Sequence, residues 1–148
     1  MNDDVQASSG MAPRDLRQAY QAIISAVAAG DVNSLDGLIS VDIVDHNPVP
    51  GQVSGLDGIK YWVGFMRSAF PDLTGEIEDT LVEGDKIAGR VMWRGTHRGE
   101  FLGLPGEGRT VQLAAYHMLR FEHGLAVEWW GTADVYGALS QLGQYPRP

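Results

Sequence analysis

The 148-residue chain contains no cysteine. Disulfides, thiolate metal sites and cysteine nucleophiles are therefore excluded, and the redox compartment is left unread. It also lacks any basic run: 11 Lys and Arg stand against 19 Asp and Glu, a formal charge of −8. A nucleic-acid partner would need a cationic footprint for its phosphates, so none is expected. Neither GxxxxGK(S/T) nor a GxGxxG opening a helix after a strand occurs, which disfavours cofactors that carry phosphates. No apolar stretch approaches the length of a membrane span, so no membrane partner is expected. The N-terminal "MNDDVQASSGMAP" is acidic and polar. It is unlike a signal peptide and reads as a frayed tail over residues 1–12, with a cytoplasmic location expected.

What remains is the profile of one globular domain over 13–148, with 44% apolar and 20% charged residues. In "PRDLRQAYQAIISAVAAGD" the residues Leu16, Tyr20, Ile23, Ile24 and Val27 recur at helical spacing, with Pro13 at the start and Gly30 as the stop. "DVNSLDGLI" (31–39) predicts a second, short helix. "VDIVDHNPVPG" predicts a strand ending at Pro48, and "GLDGIKYWVGFMRSAFPDL" a helix broken by Pro71. Beyond it the pattern alternates with period two. Strands are expected over 73–83, 86–97, 109–122 and 125–134, before a short helix in "VYGALSQLG". The fold class is α+β: a curved antiparallel sheet forming a cone, with N-terminal helices on its concave face enclosing a pocket.

Period-two parity sorts the strands into faces. Val111, Leu113, Ala115, His117, Leu119 and Phe121 form one face, which is read as inward, and His117 is its only polar member. On the last strand Trp129 and Gly131 face inward while Trp130 packs outside, a position that suits a subunit interface. On 73–83 the inward set is Leu73, Gly75, Ile77, Asp79 and Leu81. Desolvation of Asp79 on that face would raise its pKa. A single β-bulge would reverse this assignment.

The stretches "DHNPVPG", "AFPDL", "IEDTLVEGDKIAGRVMWRGTHRGEFLGLPGEGRTV" and "VEWWGTADVYGALSQLG" resemble the SnoaL-like polyketide cyclase family, within the nuclear-transport-factor-2-like cones. The likeness covers nearly all of the chain after residue 13. It implies cofactor-free intramolecular aldol closure of an aromatic polyketide in an apolar pocket. A carboxylate on the last strand serves there as acid/base, with a histidine on the preceding strand, which His117 matches. The family's Glu-His-Trp-Asp run is here Glu128, Trp129, Trp130 and Gly131, so the acid is absent. Some relatives in polyketide tailoring are hydroxylases or assist another enzyme in hydroxylation, so a partner reductase or oxygenase belongs to that alternative. The resemblance also implies self-association, as a dimer or tetramer.

The catalytic candidates are His117, Asp79 and His46. His117 is either a catalytic group or a hydrogen-bonded core residue. Asp79 is either a replacement base or an edge carboxylate paired with Arg90 or Arg94. His46, at a strand end before Pro48, serves the site or stabilises the turn. His97 gates the cavity mouth or is solvated, His123 lies on the surface, and Asp134 caps the last helix. Trp129 and Gly131 would hold a flat ligand, the glycine leaving room beside the indole, or the glycine is a kink in the strand. Tyr20, Trp62, Phe65, Met66, Leu113 and Ala115 complete the expected wall, where core and pocket overlap. The four histidines have no metal-ligand spacing, and no metal or cofactor is expected. Two other readings stand beside the enzyme: a binding protein that carries a hydrophobic ligand, and an isomerase or epoxide hydrolase on the same cone.

Overall fold

The computed structural model describes residues 13–144; the tail read over 1–12 lies outside them. Helix α1 spans Pro13–Ala29 and α2 Gly55–Ala69, with a short α3 at Val135–Gln141. Strands β1 (Ile39–Asp45), β2 (Thr74–Glu83), β3 (Lys86–Thr96), β4 (Thr110–Glu122) and β5 (Leu125–Ala133) form one sheet in the order β1-β5-β4-β3-β2. Pairing is antiparallel from β2 to β5, whereas β1 lies parallel to β5 at the sheet edge. The chain thus adopts the α+β cone expected of it.

The apolar stripe of α1 is what docks it. Leu16, Tyr20, Ile23, Ile24 and Val27 are all buried, and α1 lies over β2 and β3 while α2 lies over β1. Gly30 ends α1 in the left-handed region, at φ 69°, where glycine is free of the Cβ penalty. The second α-helix expected over 31–39 is only a 3-10 helix at Ser34–Gly37. Asp31 accepts hydrogen bonds from the backbone and hydroxyl of Ser34, a local closure that competes with helical bonding. Ile39 already belongs to β1.

The inward face of β4 is as expected: Val111, Leu113, Ala115, His117, Leu119 and Phe121 are buried. The face expected for β2 holds only to Ile77. The register with β3 shifts between Ile77 and Asp79, and such a bulge turns every later side chain over. Leu81 is consequently 76% exposed. Asp134 caps α3, its carboxylate accepting the Gly137 N–H at 2.9 Å. Among the described residues no helix is long and apolar enough to cross a membrane.

Candidate active site

A cavity of about 380 Å³ opens between α2 and the concave sheet face. Trp62, Phe65 and Met66 of α2 form one wall; Trp93, Leu113, Ala115, His117, Trp129 and Gly131 form the other. Leu102 lies at the rim. Polar groups are gathered where β1 ends: Asp45, Asn47 and Gln52, with Thr132 of β5. The Asp45 carboxylate accepts the Asn47 N–H at 3.0 Å and the Gln52 amide at 2.9 Å. The Asn47 side chain in turn accepts the Gly131 N–H at 3.0 Å, tying this loop to β5.

His117 sits between two glycines in the sheet, Gly89 on β3 and Gly131 on β5. Each makes room for an aromatic ring. A Cβ at Gly89 would lie 2.3 Å from the Tyr20 hydroxyl, and one at Gly131 would lie 2.7 Å from Trp129 Nε1. The vacated space lets the fully buried Tyr20 reach His117, with its hydroxyl 3.0 Å from Nδ1. Trp129 leans on the same imidazole edge-on, 5.2 Å between ring centroids. The adjacency of Trp129, Trp130 and Gly131 follows: one indole fills the place of a side chain at 131, and the other faces away.

Hydrogen-bond satisfaction across the Tyr20–His117 contact assigns which nitrogen carries the proton. The phenol O–H is buried, and among the described residues His117 Nδ1 is the hydrogen-bond partner within its reach; because a buried hydroxyl proton left without an acceptor is costly, the phenol is assigned as the donor. With Tyr20 donating to Nδ1, a neutral imidazole must be protonated on Nε2. Burial keeps the ring neutral, lowering its pKa from 6.5 to about 4, and raises that of Tyr20. At neutral pH, His117 therefore offers the cavity an N–H donor.

The same burial has a stability signature. Between pH 6.5 and about 4 the unfolded chain binds the proton that folded His117 refuses, so stability falls as pH drops through this window. The His117 contribution is on the order of 3 kcal/mol. Urea unfolding between pH 4 and 7 should show a steeper loss in wild type than in His117→Gln, by about that amount.

The cavity brings together His117, Trp129, Gly131, Trp62, Phe65, Met66, Leu113 and Ala115. Tyr20 stands behind His117, outside the lining. Asp79 is on the outer face, paired with Arg90, because the bulge before it reverses its direction. His46 also faces outward: its ring stacks on Trp130 at 4.5 Å, and Nε2 lies 2.7 Å from Glu128. His97 is neither solvated nor at the cavity. It is 2% exposed and packed against Phe70 and Phe101, and its Nε2 has no hydrogen-bond partner among the described residues. Sequence reasoning missed Asp45 and Asn47, although parity from the buried Ile43 would have turned both inward. Among the described residues, no three His, Asp or Glu side chains converge as a metal would require.

The profile of the SnoaL-like polyketide cyclase family matches residues 14–142. No curated protein matches the sequence. Among solved structures, TsrD from Streptomyces laurentii superposes with a TM-score of 0.84 at 27% identity, over 90% of this chain and 98% of that one. IdmH from Streptomyces antibioticus, described as a candidate polyketide cyclase, is 32% identical with a TM-score of 0.77, over 86% and 97% of the two chains. AclR from Streptomyces galilaeus, described as a candidate hydroxylase, is 29% identical with a TM-score of 0.81, over 92% and 89%. The extent of the family match, the shared cone and the agreement of these structures place the chain: it belongs to the SnoaL-like polyketide cyclase family.

Proposed function

We propose that this protein is a cofactor-independent enzyme that closes a ring in an aromatic polyketide by intramolecular aldol addition. The observation that carries the reading is the buried, neutral His117, held by Tyr20 as an N–H donor at the wall of an apolar cavity. Aldol closure develops negative charge on an enolate and then an alkoxide oxygen, and a fixed donor in a dry site stabilises both. The cavity volume lies within the usual range for small-molecule sites, about 300–1,000 Å³. Its aromatic walls suit flat rings. Because the step is intramolecular, holding the substrate folded supplies much of the rate.

A second reading, oxygen-dependent hydroxylation of an electron-rich polyketide, is favoured by one observation: glycine stands at 131, the position to which the family resemblance assigns the acid. Product mass separates the two. Wild type would be incubated with open-chain anthraquinone-type polyketide esters, in air and without oxygen. Ring closure gives an isomer of unchanged mass under both conditions, slowed at least about a hundredfold in His117→Ala. An oxygen-dependent mass gain selects hydroxylation instead, and binding without turnover selects a carrier. The outward row of Tyr116, Met118 and Trp130 supports self-association, which light scattering would test.

A further inference from the structure

We infer that Asp45 is the general base of this site, the acid/base carboxylate having moved from β5 to the neighbouring edge strand β1. The inference rests on the ring-closure reading and identifies the group that reading still lacks. With Tyr20 assigned as the donor, His117 Nδ1 accepts the phenol proton and Nε2 carries its own, so the imidazole does not serve as the base. Its ring has no lone pair left for the cavity. Among the described residues, Asp45 is the only carboxylate that lines the cavity.

Its surroundings suit the role. The Asn47 N–H holds one carboxylate oxygen and the Gln52 amide holds the other. Each oxygen keeps a further lone pair for an incoming proton. Asp45 is aligned with Trp129 across β1 and β5, and His117 with Gly131 across β4 and β5. The α-carbons of Asp45 and His117 are therefore two strands and two residues apart, roughly 12 Å from standard strand spacings. That span suits a flat substrate lying between carboxylate and imidazole.

The proton and electron pairs balance without a co-reactant. Asp45 takes the proton from an acidic C–H flanked by carbonyls, and the C–H pair becomes an enolate whose oxygen faces His117 Nε2–H. The enolate carbon attacks a carbonyl carbon of the same molecule, forming the ring bond as the C=O π pair moves to oxygen. The Asp45 carboxyl returns its proton to that alkoxide, giving an isomer.

The test uses 2-hydroxyanthraquinone, a flat phenol whose visible absorption distinguishes bound phenol from bound phenolate. In wild type the Asp45 charge opposes a second anion, so the neutral phenol is bound in preference. Asp45→Asn mimics the carboxyl after proton uptake and should bind the phenolate roughly tenfold more tightly or better. Asp45→Ser, also uncharged, should do the same, and the outer-face variant Asp79→Asn should match wild type. Equal phenolate affinity in wild type, Asp45→Asn and Asp45→Ser would overturn the assignment of Asp45 while leaving the polycyclic pocket standing. No binding to any form would remove the pocket reading, and this inference with it.

Discussion

Gly89→Ala is expected to cost about 3 kcal/mol of folding stability or more, although it adds a single methyl group. The new Cβ would stand 2.3 Å from the Tyr20 hydroxyl and 2.4 Å from two of its ring carbons. Tyr20 has no exposed surface and so no free direction in which to swing. Overpacking of this kind costs about 1–3 kcal/mol. Displacing the phenol also breaks its bond to Nδ1, worth about 1 kcal/mol with a further penalty for buried groups left unpaired. Urea unfolding of Gly89→Ala beside Gly64→Ala provides the contrast. A Cβ at Gly64, on the exposed side of α2, meets nothing within 4 Å. That change should be neutral or stabilising by up to about 1 kcal/mol. In Gly89→Ala, ¹⁵N spectra should also show His117 losing its single Nε2–H tautomer.

Restoring the family acid by Gly131→Asp is expected to fail on its own. A Cβ there lies 2.7 Å from Trp129 Nε1 and 3.3 Å from His117 Cδ2. The indole would have to move, disturbing the aromatic wall of the cavity. On the ring-closure proposal, turnover should fall at least about tenfold, and stability by about 1–3 kcal/mol. Trp129→His combined with Gly131→Asp removes the obstructing ring and should recover both in part. The carboxylate would then stand beside His117 and favour its charged form, so NMR titration should find its pKa above the value of about 4 in wild type. A single variant as active as wild type would show that the indole does not exclude an acid here.

Tertiary facts separate what the sequence revealed from what it hid. The inward row of β4 was legible because thirteen residues alternate without interruption from Thr110 to Glu122, and His117 was found by being the one polar member. Asp79 was misplaced by a bulge in a strand whose composition carries no mark of it. His97 lies one residue past β3 and looked solvated beside a Gly/Pro-rich loop. Burial came from Phe101, a residue of that loop that is only 4% exposed. Asp45 was not legible as a cavity residue because the pairing of β1 with β5, which aligns it with Trp129, crosses most of the chain. The glycines at 89 and 131 are equally silent until their neighbours across the sheet are known.

The contacts that build the site have a consequence for how the protein folds. Tyr20 meets His117 across 97 residues, and Asn47 meets Gly131 across 84. Neither can form in a nascent segment, and closing such loops is the slow, entropically opposed part of folding. A chain stopped before β5 contains Asp45 and His117 but lacks the strand that sets them in one frame. Competence therefore arrives late and all at once, when the strand from the first third of the chain closes on the strand from its last.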